Sequence, residues 1–444
     1  MNNPMKKSLF KNSKSGATYM RRISRLVPAL ALGSTVALGG CSVLDDLLAV
    51  DAPSRVVASD LENPAAAPLL VASVANEFRC ALTHYISGSA LVGMEWDDAS
   101  ANTINAIWDT RNHDTSGYGA QYASTDCGSG NAALYLPLSR SRWYGDQVLT
   151  NLGTWDVGDV PDKAAFTAET SVWTGYSYLL LGESMCEVAF DGEAKQSYTA
   201  AFSLAIARFD AAISAGGTAD ITNLAKVGKA RAQLNLGEVS AAGATAAGVS
   251  ADFSYKLSYS DAENVTRNKQ WEANHRDDEV TIGTTYRGLS YGGVIDPRAA
   301  VTDKGVQGQA GIDVWTADKY PEASSQIEVG SWEEAQLIVA EAAIAAGNLD
   351  AARSIFDVLH TNAGLPTFTS VNAAPTAGEL TTQLTYERSV EMFLEGHHLW
   401  DVKRLSIPLV PANGAASPFG TFYSNELCFE LPAVEFLNND NITS

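Results

Sequence analysis

The stretch from Trp332 to His360 constrains the fold more than any other. Glu333 to Ala346 is rich in alanine, Gly347-Asn348 interrupts it, and Leu349 to His360 resumes with Ala352, Phe356 and Leu359 on one face. The spacing predicts two amphipathic helices joined by two residues, with Asn348 placed to cap the second. Helices so connected pack antiparallel, and alanine at the contact lets their axes come close. Each such hairpin leaves an apolar face uncovered, so it needs a neighbour to stack on.

The pattern recurs upstream. Tyr198, Phe202, Ala205, Phe209 and Ile213 form one stripe over 197–214, and Val172, Trp173, Tyr176 and Leu180 form another within 164–187. Val227, Ala230 and Leu234 repeat it over 224–236, where Gly237 is placed to end the helix. Pairs near 164–214, 224–248 and 332–360 are about the size of a tetratricopeptide repeat and predict a mainly α fold, a stacked helical-hairpin superhelix with little β structure. Two stretches differ in character. Residues 84–131 hold six glycines named by Gly88, Gly93, Gly117, Gly119, Gly128 and Gly130, with Trp96, Trp108, Tyr118 and Tyr122 among them. Residues 250–330 are polar and carry Trp271, Tyr286, Tyr291, Trp315 and Tyr320. Both are expected to be irregular and loop-rich, and long irregular segments in a compact protein tend to carry function.

The N-terminal segment bears on location. Lys6, Lys7, Lys11, Lys14, Arg21, Arg22 and Arg25 stand without an acidic residue, followed by an apolar run from Val27 to Leu38 and then Leu38-Gly39-Gly40-Cys41. This order predicts a secretory signal over residues 1–40, with Met20 as an alternative start that gives a more usual signal length. The run is too short to span a bilayer, which takes about 20 apolar residues. Leu-Gly-Gly-Cys is similar to a bacterial lipobox, so Cys41 is the expected acylation site and residues 41–60 an anchored tether. Loss of seven basic and no acidic residues takes the formal charge from −21 to −28. So acidic a chain repels phosphate backbones, which argues against nucleic acid as a partner.

Cys80, Cys127, Cys186 and Cys428 remain, enough for two disulfides in three pairings. A Cys80–Cys127 bridge is expected first, closing a polar loop-rich segment; four buried thiols are the alternative. No cysteine–histidine spacing suggests zinc, and no Walker loop or dinucleotide fingerprint is present. Acidic loops rich in Asp, Asn and Gly have the chemistry for Ca²⁺, but EF-hand spacing is lacking and no cofactor or metal is expected.

The segment from Leu384 to Arg404 holds the densest charge. Glu387, Glu391 and Glu395 sit at i, i+4 and i+8, predicting one carboxylate row on a helix, with Arg388, His397, His398, Asp401 and Arg404 nearby. A metal or acid–base site on Glu395, His397, His398 and Asp401 is one reading; a structural ion-pair block of Glu387, Arg388, Glu391, Glu395, Asp401 and Arg404 is favoured, because charge rows on helices are usually structural. Glu387-Arg388, Glu391, Glu395-Gly396, Asp401 and Arg404 together resemble the ER…E…EG…D…R block of the SusD/RagB family. Asp296-Pro297-Arg298, Lys319-Tyr320, Ala340-Glu341-Ala342, Gly347-Asn348, Ala363-Gly364-Leu365-Pro366 and the Leu431-to-Asn439 ending follow that family's order. His397-His398 departs from it, and the N-terminal half matches only in its helix pattern.

The resemblance implies a single SusD-like domain over 61–444 and a non-enzymatic outer-membrane lipoprotein, lipid-anchored and facing the cell exterior. It further implies a lid on a SusC-like TonB-dependent transporter, binding oligosaccharides or peptides. The residues agree in one respect: aromatic rings cover the apolar faces of sugars while Asp, Asn and Arg bind hydroxyls. Trp96, Asp97, Asn102, Trp108 and Arg111 supply those ingredients in the first irregular stretch, and Trp271, Tyr286, Tyr291 and Trp315 supply an opposing wall in the second. The alternatives are an α-helical glycoside hydrolase or lyase, which needs two carboxylates about 5–10 Å apart in a cleft, and a scaffold that touches no nutrient.

Overall fold

A computed structural model describes residues 62–128, 133–437 and 439–442. The signal segment 1–40, the acylation site Cys41 and the tether 41–60 lie outside the described residues. The first helix, α1 (Ala67–Val92), runs into the stretch that was expected to be irregular, and every residue from Cys80 to Val92 is buried. A helix enclosed on all sides has no polar face, so no helical period marks it in the sequence. A second helix in the same stretch, α2 (Thr103–Asp109), further corrects the loop-rich expectation for 84–131.

Seven helices then follow as a stack: α3 (Tyr135–Thr154), α4 (Lys163–Ser184), α5 (Thr199–Ala215), α6 (Ala219–Asn235), α7 (Val239–Ala246), α8 (Trp332–Ala345) and α9 (Leu349–Asn362). Each packs on the next, and α1 lies against α3 and α4. The expected hairpins are α4–α5, α6–α7 and α8–α9. Phe202, Ala205 and Phe209 of α5, Val172, Trp173, Tyr176 and Leu180 of α4, and Val227, Ala230 and Leu234 of α6 are all buried. Phe209 shows how closely the axes approach: a Cβ on Gly175 of α4 would sit 2.8 Å from its ring, and one on Gly228 of α6 would sit 2.3 Å away. Only glycine on both neighbours admits that ring.

Ala352, Phe356 and Leu359 of α9 face a smaller core shared with Leu337 and Ala340 of α8 and with Leu380 and Leu384 of α10 (Ala377–Glu391). The α8–α9 turn differs in one detail from expectation. Asn348 stands at the cap position but its side chain makes no capping bond, and the reversal is made by Gly347 at φ +76°. Capping is found elsewhere: Ser331 Oγ accepts from Glu334 N at 3.1 Å, and Thr376 with Glu379 forms a reciprocal box at the start of α10. The last helix of the block is α11 (His398–Arg404).

The strands of three residues or more are few: β1 (Trp96–Asp98), β2 (Ser254–Leu257), β3 (Val280–Ile282), β4 (Val301–Gln307), β5 (Asp313–Ala317) and β6 (Ile327–Ser331). Among the described residues they form only two-stranded antiparallel ladders: β1 with β3, β2 with β6 and β4 with β5. Disulfides join Cys80 to Cys127 and Cys186 to Cys428.

The residues of the charged block are held in ion pairs, but its glutamates are not one helical row. Helix α10 ends at Glu391, and Glu395 lies beyond it in a buried turn. Arg298, from the Asp-Pro-Arg turn, binds Glu387 at 2.6 Å, Glu391 at 2.9 Å and Asp296 at 2.7 Å. Arg388 binds Asp401 at 2.9 Å, and Arg404 bridges Asp401 and Glu341. Lys319 pairs with Glu395 at 2.5 Å. Main-chain groups of the turn are gripped as well: Leu394 N donates to Glu95 Oε1 at 2.7 Å, and Gly396 O accepts from Tyr85 Oη at 3.1 Å and Arg231 Nη2 at 3.3 Å. Gly396 has φ +81°, and a Cβ there would lie 2.7 Å from the Tyr85 ring, so both backbone and space demand glycine.

Candidate ligand-binding face

The structure separates the nine residues expected to contact ligand. Trp96 and Trp108 are 1% and 0% exposed and belong to the main core, with Trp108 edge-on to Phe429. Arg111 is fully buried, and its guanidinium donates to Ser424 O at 2.7 Å and Pro411 O at 2.6 Å. Tyr286 is 3% exposed and stacked on Phe393. Asn102 caps α2 by accepting from Ile104 N at 2.9 Å. Burial removes Trp96, Trp108, Arg111 and Tyr286 from contact with an external chain, and Asn102 is committed to the helix end. The error has one cause: aromatic rings flanked by polar residues look alike in sequence whether they anchor a loop or face solvent.

Asp97, Trp271, Tyr291 and Trp315 keep part of their surface. Trp271 lies beside the Arg276 guanidinium, and Tyr291 packs edge-on against His360, so these two sit in different surroundings. Asp97 and Trp315 are brought together by a residue the sequence reading passed over. Arg287 places its guanidinium 5.4 Å from the centre of the Trp315 ring and 4.0 Å from the Asp97 carboxylate. The only sequence signal for Arg287 was its place between Tyr286 and Tyr291 in the second aromatic stretch.

Short strands hold the three in register. Asp97 of β1 pairs with Thr281 of β3. Thr281 Oγ1 accepts from Trp315 N of β5 at 2.9 Å and from Arg287 Nη2 at 3.2 Å, and donates to Asp313 O at 2.9 Å. One hydroxyl thus ties β1–β3 to the β4–β5 hairpin. The side chains of Asp97 and Arg287 remain 24% and 22% exposed. The backbone nearby is strained at Ala101, Arg111 and Asp278, each with φ between +53° and +58°, and such positions gather at functional sites.

Burial pushes the Asp97 carboxyl up to about 6, against the pull of Arg287 and Arg111. Asp109 is pushed up to about 8, by burial and then by the charge of Asp97, and it accepts from Tyr423 Oη at 3.4 Å. At neutral pH the face therefore offers one ionised acceptor, one guanidinium and one indole ring. Beside Asn112 runs a cleft of about 800 Å³ whose walls include Ile107, Thr110, Phe419 and Phe422. Asn112 Nδ2 donates to Phe422 O at 2.8 Å, and the Phe422 side chain stands out into solvent. Among the described residues no group of three or more His, Cys, Asp or Glu side chains is placed to hold a metal ion. His397 and His398 are buried, and burial drives both below the ordinary imidazole range.

Residues 262–430 match the SusD family, which is also the SusD/RagB family of the sequence resemblance. Solved structures extend the likeness to most of the described fold. A SusD homolog from Bacteroides thetaiotaomicron superposes with a TM-score of 0.64 at 13% identity, covering 88% of this chain and 99% of its own. A SusD superfamily protein from Parabacteroides distasonis gives 0.63 at 12% identity, covering 88% and 99%. A SusD-like carbohydrate binding protein from Bacteroides vulgatus gives 0.61 at 14% identity, covering 86% and 97%. At these identities the likeness is one of fold. No protein of curated function matches the chain in sequence.

Proposed function

We propose that the protein captures oligosaccharides at the cell surface and hands them, chemically unchanged, to a SusC-like TonB-dependent transporter for which it acts as the lid. The observation that carries this reading is the SusD family segment over 262–430, set in a fold shared with a SusD-like carbohydrate binding protein. Acylation of Cys41 would hold it to the outer membrane, facing outward. The ligand lies on the Asp97, Arg287 and Trp315 face: the indole covers the apolar side of a sugar ring while the carboxylate and guanidinium bind hydroxyls. Peptide ligands are the other cargo this reading admits.

Isothermal titration against a panel of glycans and peptides tests it. A glycan that binds the parent and binds Trp315→Ala or Asp97→Ala at least about tenfold more weakly supports the face, since one hydrogen bond or stacking contact is worth about that factor. Binding unchanged in both variants removes the assignment. Mass spectrometry showing an intact Met1 or an unmodified Cys41 would remove the anchor.

A hydrolase is the second reading, favoured by the raised carboxyls of Asp97 and Asp109. Against it, Asp109 is 3% exposed and engaged by Tyr423, out of reach of a substrate. New reducing ends after incubation with a bound glycan would decide for the hydrolase.

A further inference from the structure

Phe422 is held at its backbone and free at its ring. Asn112 Nδ2 donates to Phe422 O at 2.8 Å, Tyr423 N donates to Ala415 O at 2.9 Å, and Ser424 N donates to Thr110 O at 2.9 Å. Ser417 N donates to Thr421 O at 2.8 Å, closing the reversal just before it. The ring is nevertheless 66% exposed. A lone exposed phenylalanine needs no explanation, but this one forms a wall of the cleft of about 800 Å³ beside Asn112. That volume falls within the range of about 300–1,000 Å³ usual for ligand sites.

The walls define what fits. Ile107, Phe419 and Phe422 give apolar surface, and the exposed Thr103, Asn112 and Thr421 give hydroxyl and amide groups that solvent reaches. No Lys, Arg, His, Asp or Glu lines the cleft among the described residues. A charged ligand finds no counter-charge there, whereas a sugar sets its C–H face against the rings and its hydroxyls against the polar rim. The fixed backbone also presents the Phe422 ring without a loop to order on binding, which keeps the entropic cost low.

The cleft adjoins the Trp315 face. Ala101 lines it and follows Asp97 by four residues, which span about 14 Å at most. Arg111 links the two regions: its charge acts on Asp97, and its guanidinium ties down Ser424 O and Pro411 O on either side of Phe422 in sequence. Ala101 and Arg111, one beyond each end of α2, hold left-handed backbone at φ +58° and +57°, a cost retained where a fixed shape is needed.

We infer that the Phe422 cleft is a second subsite of the ligand face, taking uncharged sugar units of an oligosaccharide whose other units lie on Asp97, Arg287 and Trp315. The inference rests on the proposed glycan reading and adds a length requirement: an oligomer that reaches both places binds more tightly than one that fills a single place.

Isothermal titration of the purified mature protein tests it, with ladders of cello-, xylo-, malto- and manno-oligosaccharides from disaccharide to heptasaccharide and an oligogalacturonate ladder for comparison. Phe422→Ala removes the ring, Thr103→Trp fills the cleft from an exposed position, and Trp143→Ala is the control, an exposed tryptophan on α3. The expected result is affinity that rises with length in at least one neutral ladder and not in the charged one. Phe422→Ala and Thr103→Trp should each weaken the longest oligomer about tenfold and leave the disaccharide unchanged, and Trp143→Ala should change neither. Where Thr103→Trp fails to fold, Phe422→Ala alone decides. Affinity that is flat with length, an equal gain with oligogalacturonate, or a heptasaccharide bound equally well by Phe422→Ala overturns this inference alone, provided that Trp315→Ala still weakens binding. Loss in Phe422→Ala with none in Trp315→Ala or Asp97→Ala keeps the cleft as a glycan site and overturns its pairing with the Trp315 face. No glycan bound by the parent overturns both.

Discussion

Replacing Arg231 by alanine should destabilise the protein by about 3–5 kcal/mol, the usual cost of leaving a buried charge without its partner. Arg231 Nε and Nη2 hold the two oxygens of Glu183 at 2.7 and 2.5 Å, with the two side chains 5% and 1% exposed. The same guanidinium reaches Gly396 O at 3.3 Å and His397 Nε2 at 2.8 Å. Without it, Glu183 keeps, among the described residues, Asn235 Nδ2 at 2.7 Å and Tyr85 Oη at 3.3 Å, and the turn before α11 loses one of its anchors. Replacing the pair together, Arg231→Met with Glu183→Leu, removes both charges at once and should recover most of the loss, because a buried pair is worth little more than apolar residues of similar volume. Urea denaturation followed by circular dichroism, with unchanged m-values, measures both variants. A single-variant loss below about 1 kcal/mol, or a double variant as unstable as the single, would refute a dry, fully paired hub.

Other outcomes follow from the same contacts. Trp96→Ala and Trp108→Ala should each cost about 3–5 kcal/mol in urea denaturation, as for large core side chains; loss of glycan binding at unchanged stability would return them to the ligand face. Burial lowers the His360 pKa, but the bond to Glu387 at 2.5 Å and that carboxylate's charge outweigh it, so the folded value lies above the ordinary one. Its contribution is therefore complete below about pH 6.5 and lost as pH rises through the folded pKa, and urea midpoints against pH should show this slope flattened in His360→Gln. Cys186 and Cys428 are 242 residues apart, so Cys186→Ala with Cys428→Ala should lower stability by up to about 5 kcal/mol on chain-entropy grounds, and an unchanged melting temperature would count against the bridge.

The hairpins α4–α5, α6–α7 and α8–α9 were legible because their apolar stripes alternate with solvated faces. Two elements were not. The α1 segment from Cys80 to Val92 has no solvated face to set the phase. In α3 the buried stripe is made partly of Ser141, Arg142 and Gly145: Gly145 faces Thr174, and Arg142 is paired with Asp191 at 2.7 Å, so its inward face does not read as apolar. The charged tail was legible as a dense run of acids and bases, yet Arg298 and Lys319, which pair with it from other elements, were not, because sequence spacing says nothing about which distant cation meets a carboxylate. The candidate face was visible only through Asp97 and Trp315. Arg287, which joins them, becomes visible once Thr281 has brought β1, β3 and β5 side by side.

The most direct test of the central claim is to incubate the purified protein with the glycan it binds best and to follow the ligand by chromatography and reducing-end assay. The account predicts saturable binding that Trp315→Ala weakens, with the glycan recovered at its original length and no new ends. Accumulation of shortened or unsaturated products, abolished by Asp97→Asn, would contradict it.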